Sequence, residues 1–412
     1  MEFESIKQLL ISNHNLILTG APGTGKTYIA KEIAKSLGAY WRFVQFHPSY
    51  DYSDFVEGLR PVKKQEQLGF ERKDGVFKNF CKNALDVSDL FNLTYKELVR
   101  EIKTGDTSFL DTDLRKTYVN ESNHIVFRSA DGRNPNNEKH YVSKSKLLEL
   151  YKKISENLLD FESEDSITKD KCKELNGNKE VDTTAPLILK EIYKRSKNDL
   201  KRLYNNRISV FIIDEINRGE FSKIFGEVFY SIDPGYRGER GKVYTQYQNL
   251  ISEEDAFYSG FFVPENVYII GTMNDIDRSV ESLDFAMRRR FAWQEITVED
   301  SQSMFDDNNA WGRNGKPAKK IIEEIKNRMN NLNAAIIDKY DSDNLSQKEK
   351  IGLNKAYQIG AAYFLKYNLY NDFEVLWRNH LEGLLYEYLR GTSNIELKIE
   401  RLKTAYNDKE KH

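Results

Sequence analysis

Gly20-Ala21-Pro22-Gly23-Thr24-Gly25-Lys26-Thr27 has the residue types and spacing to grip a polyphosphate. The glycines let the chain turn tightly with its amides pointing inward around phosphate oxygens, Lys26 reaches the outer phosphates, and the Thr27 hydroxyl suits a magnesium ion. Tyr28 follows directly and counts among the expected nucleotide contacts. A second centre closes the apolar run Val210-Phe-Ile-Ile-Asp214-Glu215. Asp214 is suited to hold the metal, and Glu215 to act as general base or to position an attacking water. An apolar strand capped by acids is common by itself. Beside a phosphate-gripping loop it points to hydrolysis rather than to binding alone.

Two further groups could join them. Tyr268-Ile-Ile-Gly-Thr-Met273-Asn274 sets an amide at the end of another apolar run, where it either orients water between nucleotide and Glu215 or caps the next turn. Arg288, Arg289 and Arg290 close a helical stretch. By spacing they read equally as dipole-complementing surface charge and as a finger offered to a neighbouring subunit's phosphates.

The elements that must position these groups can be read from periodicity. Apolar strands are expected at 16–19, 41–46, 209–213 and 266–271, and a helix follows the glycine-rich turn with Ile29, Ile33 and Leu37 on one face and Gly38 as its stop. Near-continuous apolar strands separated by helices imply a parallel sheet covered on both faces. Between Ala84 and Asn206 the sequence turns polar and charged, as an inserted unit would. Its last part alternates Leu189, Ile192, Tyr193, Leu200 and Leu203 with Lys and Arg at helical spacing, a solvated face or a contact for nucleic acid or a partner. No strong strand follows Trp293. Amphipathic helices are expected over 319–338, 353–366, 373–390 and 395–406. The organisation is therefore α/β: residues 1–85 and 206–297 form the two parts of the sheet domain, 86–205 an insertion between the second and third strands, and 298–412 a helical lid.

Composition narrows the classes. Hydrophobic residues at 39% and charged residues at 31% of 412 fit a folded chain, and a net charge of -2 argues against a uniformly basic nucleic-acid coat. Cys81 and Cys172 lie outside any ligand-spaced cluster, which fits two free thiols in a reducing compartment. No apolar run approaches membrane-spanning length and the N-terminus lacks a signal-peptide layout, so a cytoplasmic protein with no membrane partner is expected.

Taken together these segments resemble the McrB family, the GTP-hydrolysing AAA+ motor subunits of modification-dependent restriction systems. The resemblance rests on residues 46–61, 74–81, 213–227 and 262–271, and above all on Met273-Asn274-Asp-Ile-Asp277-Arg278, similar to the family's Met-Asn-x-x-Asp-Arg signature. It spans about residues 10–85 and 206–366. It implies a P-loop AAA+ fold, with Asn274 as sensor, Asp277 and Arg278 arranging the site between subunits, and Arg289 and Arg290 as inter-subunit arginines. Gln358-Ile-Gly360-Ala-Ala-Tyr363-Phe364 looks like the family's lid segment near the nucleotide. The implied cofactors are GTP, or else ATP, with Mg2+. The implied partners are other copies in a ring, expected to be a hexamer, a separate McrC-like nuclease, and DNA bound directly or through partners.

Two departures qualify the resemblance. Family members often carry a DNA-reading domain before the motor, whereas here the phosphate loop begins near residue 20. The insertion lies where the family usually has a short connection, and its aromatics Phe109, Tyr118, Phe127 and Tyr141 read as core. The rival readings are a MoxR-like ATPase that remodels proteins and a nucleotide-switched scaffold.

Overall fold

Alternate residues of the central strands feed two different cores. Leu16, Leu18, Val210, Ile212 and Ile270 pack with Ala30, Ile33 and Ala34 on one face. Ile17, Phe211, Ile213 and Ile269 pack with Phe55, Phe77 and Phe225 on the other. A strand turns successive side chains to opposite faces, so a strand apolar at every position must lie between two layers. Each fully buried aliphatic side chain contributes about 2 kcal/mol.

The computed structural model describes residues 3–64, 67–85, 87–107, 110–111, 115–129, 140–161, 163–205, 208–253, 255–276, 285–340 and 346–409. Its strands are β1 (Asn15–Thr19), β2 (Tyr40–Gln45), β3 (Glu57–Lys64), β4 (Gln67–Asp74), β5 (Arg115–Val119), β6 (Ile125–Ser129), β7 (His140–Tyr141), β8 (Ser209–Asp214), β9 (Val267–Thr272) and β10 (Ala292–Glu295). β1, β2, β8, β9 and β10 form one parallel sheet in the order β10-β1-β9-β8-β2. The fold is thus an α/β P-loop architecture, with helices Phe3–Asn13 and Lys26–Ser36 against one face. Because all five strands run the same way, the ends of β1, β8 and β9 come together at one edge, the edge where open parallel sheets bind ligands.

β10, at Ala292–Glu295, is a strand that the expected apolar runs did not include. It pairs with β1 from Leu16↔Ala292 to Thr19↔Glu295. As a half-exposed edge strand, its Ala-Trp-Gln-Glu sequence needs no apolar run. β3 and β4 form a separate antiparallel hairpin. Within 86–205, helices Val87–Thr104, Lys144–Glu156 and Ala185–Asn205 enclose a core of their own that includes Phe91, Leu98, Phe127, Tyr151 and Ile192, beside the small antiparallel sheet β5-β6-β7. Leu189, Ile192, Tyr193 and Leu200 are buried there as their spacing implied, and so is Phe127, while Tyr118 is half-buried under the Arg128 guanidinium. Phe109 lies outside the described residues, as does the side chain of Tyr141.

The C-terminal helices Lys319–Ile336, Glu382–Tyr388 and Ile395–Asn407 share a third core with Ala21 of the phosphate loop. The helix expected over 353–366 is instead a 3-10 turn, Lys355–Tyr357, and a short helix, Ala361–Phe364. The chain breaks at Gly360 because that residue meets the loop backbone to backbone. No helix among the described residues is long and apolar enough to cross a membrane.

Candidate active site

β1 delivers the chain directly into the phosphate loop. Gly25 caps the following helix at φ 85°, a left-handed conformation that favours glycine, and so turns the first helical amides toward the loop's interior. Lys26 is buried. Its Nζ donates to the carbonyls of Gly20 at 2.9 Å and Ala21 at 2.8 Å. The ammonium is thus held over the loop by carbonyl oxygens, in place to meet an anion. Asp275 lies close by, its amide 3.4 Å from the Gly20 carbonyl. Burial pushes the Asp275 carboxyl above its ordinary range, against the pull of the Lys26 charge.

The end of β8 brings the second centre to the loop. Asp214 Oδ1 accepts from Thr27 Oγ1 at 2.6 Å and from Thr272 Oγ1 at 2.6 Å. Thr272 ends β9 and also accepts the Glu215 amide at 3.2 Å. One hydroxyl therefore orients both acids. Sequence alone points to Asn274 and not to Thr272, because any strand end tolerates a threonine and only the register with β8 gives this hydroxyl its place. Glu215 adopts φ 54° and ψ 45°, an uncommon conformation for a non-glycine residue and of the kind that concentrates at functional sites. Its Oε1 accepts from Asn274 Nδ2 at 3.1 Å, and its Oε2 is ion-paired with Arg218. Thr27 and Asp214 offer a hydroxyl and a carboxylate oxygen at one point, hard donors of the kind Mg2+ takes.

Lys26, Thr27, Asp214, Glu215 and Asn274 are thus gathered at one sheet edge. Asp277 and Arg278 lie outside the described residues. The arginines diverge. Arg289 is exposed, and Arg288 is exposed with its guanidinium 5.1 Å from the Trp293 ring centre. Arg290 is 7% exposed, lies over the Phe229 ring at 4.2 Å and has Nε 3.5 Å from Asp233 Oδ2. The fold therefore turns inward a side chain for which the family resemblance implies a role between subunits, because an aromatic face and a carboxylate hold it there.

Beyond Thr24 the loop opens into a cavity of about 380 Å³, lined by Tyr28 and Ile29 of the loop's helix, Phe3 and Ile6 of the first helix, and Ile296, Met304 and Asp307. Tyr28 donates to Asp307 Oδ2 at 2.5 Å, and this bond, with burial, pushes the phenol up to about 12. The lid closes the loop's other side: the Gly360 amide donates to Pro22 and the Ala362 amide to Gly23.

Residues 15–120 and 174–291, more than half of the chain, match the AAA domain family of the dynein-related subfamily. The chain belongs to this AAA family. Over 366 residues, 88% of its length, the AAA chain is 28% identical to the type IV methyl-directed restriction enzyme EcoKMcrB subunit of Escherichia coli (strain K12), of which the match covers 49%. Over 110 residues, 26% of its length, it is 31% identical to the type II restriction enzyme BsuMI component YdiS of Bacillus subtilis (strain 168), of which 32% is covered. The matches thus span about half the length of the first relative and a third of the second. The McrB resemblance carried by the motifs extends over most of the chain, and residues 121–173 fall between the two stretches matched by the family.

Proposed function

We propose that this AAA+ chain hydrolyses GTP as the motor subunit of a restriction complex, working on DNA and activating a separate nuclease. The observation that carries the hydrolytic half is the bonded set Thr27–Asp214–Thr272 beside Glu215–Asn274, at the edge where Lys26 sits. The loop amides and Lys26 bind the polyphosphate, and Thr27 and Asp214 are the residues to hold Mg2+. When bound, that ion neutralises charge on the phosphate oxygens. Asn274 orients the Glu215 carboxylate, which takes the proton of the attacking water. The cavity beyond Tyr28 takes the nucleobase and ribose. Arg289 is the better-placed group for a neighbouring subunit's phosphates, in a ring that the McrB resemblance suggests is a hexamer. Residues 86–205 are an inserted unit, available to read DNA or dock a partner, and residues 298–412 are the lid.

The test is turnover of GTP and ATP by the purified chain, alone, with DNA, and with a McrC-like nuclease, with Lys26→Ala as the binding-defective control. Preferential GTP turnover that rises with the nuclease is expected. Exclusive ATP turnover sinks the GTP assignment, and turnover indifferent to DNA and nuclease sinks the restriction role.

A further inference from the structure

The Glu215 carboxylate, which in the proposed reaction must receive a proton, has both oxygens engaged. Asn274 donates to Oε1 at 3.1 Å, and the Arg218 guanidinium is ion-paired with Oε2. The local backbone builds this pairing in. Glu215, in its left-handed conformation, begins the 3-10 turn Ile216–Arg218, and its carbonyl accepts the Arg218 amide at 2.9 Å. The turn folds Arg218 back onto the side chain that catalysis needs clear. The Arg218 side chain is 45% exposed and that of Glu215 17%, so the cation is the member of the pair that an incoming group can reach.

Of the two residues between them, Ile216 and Asn217, the second is the unusual one. Asn217 is 6% exposed, and neither its amide oxygen nor its amide nitrogen has a hydrogen-bond partner among the described residues. A buried amide with nothing to bind is costly, and such groups in folded proteins usually have a reason. Here the reason follows from its place in the turn. A turn that gives Asn217 no partner among the described residues while tying Arg218 to Glu215 is set to change when something outbids Glu215 for the guanidinium.

We propose that Arg218 is a positioning residue that restrains Glu215, and that a nucleotide phosphate draws the guanidinium away, freeing the carboxylate and letting the 215–218 turn rearrange around Asn217. Arginine suits both states, since its planar donors match a carboxylate and a phosphate alike. The proposal rests on the hydrolytic reading of the site only in what the freed carboxylate does next.

Two measurements test it. Arg218→Gln is expected to raise unstimulated turnover roughly tenfold through kcat with KM unchanged, while Arg218→Lys, which keeps a cation, stays near wild type. Lost turnover at unchanged nucleotide affinity in both variants overturns the restraint. The second measurement needs no hydrolysis: a thermal-melting cycle of Glu215→Gln, Arg218→Gln and the double variant, with and without a non-hydrolysable GTP analogue and Mg2+. Non-additive shifts without the analogue and additive shifts with it are expected; the same behaviour in both conditions overturns the proposal. Repeating the analogue arm below and above the concentration of self-association separates a phosphate held by the chain's own loop from one held by a second copy. A wild-type chain that hydrolyses nothing would sink the functional reading and leave the melting cycle to judge the restraint.

Discussion

The amide of Gly360 donates to the carbonyl of Pro22 at 2.8 Å, so the lid is tied to the backbone of the phosphate loop itself. A Cβ on Gly360 would stand 2.3 Å from the Gly23 carbonyl and the Thr24 amide, atoms that cannot swing aside. Gly360→Ala is therefore expected to push lid and loop apart, costing about 1–3 kcal/mol of stability and weakening nucleotide binding. Thermal melting and titration with a fluorescent nucleotide check this; wild-type values in both would mean that the close approach is dispensable.

Among the described residues Asn274 meets the site through Glu215, which separates its role from binding. Glu215→Gln is expected to lower kcat by about 10²–10⁴-fold while nucleotide affinity holds. Asn274→Ala, which frees the carboxylate to turn, should lower kcat in the same direction by less, with KM unchanged. A rise in KM as the main effect of Asn274→Ala would place the amide on the nucleotide rather than on the base.

The site was legible wherever side chains had to be of one kind, and obscure where geometry chose among equals. β1, β8 and β9 are apolar on both faces, so their ends, and with them Lys26, Asp214 and Asn274, could be placed from sequence. β10 could not, because an edge strand with half-exposed Ala292 and Trp293 carries no burial signature. Thr272 was invisible for another reason: any strand end tolerates threonine, and only the parallel register sets its hydroxyl between Asp214 and the Glu215 amide. Gly360 broke an expected helix through a contact with a residue more than three hundred positions away. Residues 86–205 read as polar and charged because their apolar residues are dispersed at helical spacing and meet only when three helices pack.

Below the β3-β4 hairpin lies a buried ionic cluster. Glu57 Oε2 accepts from Lys78 Nζ at 2.7 Å and from Arg72 Nη1 at 2.8 Å, and Oε1 accepts the Tyr247 amide at 2.7 Å. Burial pushes the Glu57 carboxyl up, but Lys78, with the Thr245 hydroxyl and the Tyr247 amide, outweighs it and holds the group below its ordinary range. A depressed carboxylate contributes stability above its unfolded value and loses it as pH falls through the folded one. Lys78→Met is thus expected to cost about 1–3 kcal/mol at neutral pH, where it leaves the buried carboxylate paired with Arg72 but one charge-assisted bond short. The cost should shrink as pH falls below the ordinary carboxylate range and Glu57 takes up a proton. Denaturant unfolding at neutral and acidic pH checks the sign; a penalty that grows in acid contradicts it.

Tyr28 stands where the phosphate loop meets the adjoining cavity, and its role can be divided from that of the loop. Tyr28→Ala is expected to weaken binding of a nucleoside triphosphate about tenfold, or 1.4 kcal/mol, and to leave inorganic tripolyphosphate binding unchanged, since that ligand uses only the loop. Competition titrations with both ligands measure the difference. Equal loss for the two would mean that Tyr28 supports the loop and that the cavity does not receive the base.

Arg289 and Arg290 are neighbours in sequence with opposite exposures, and so their removal should do different things. Arg290→Ala takes a guanidinium from between the Phe229 ring and Asp233 and is expected to cost about 1–3 kcal/mol of stability, seen as a lower melting temperature in the isolated chain. Arg289→Ala should leave melting within about 0.5 kcal/mol of wild type. If its side chain completes a neighbour's site, turnover should fall by about 10³-fold or more, and only at concentrations where the chain self-associates. Mixing Arg289→Ala with Lys26→Ala subunits should then restore part of the activity, because an Arg289 from the second chain can serve a loop on the first. Full activity of Arg289→Ala in the assembled state would remove it as the shared group. With Arg290 turned inward, Arg288, which is exposed, and Arg278 would then be the arginines left to test.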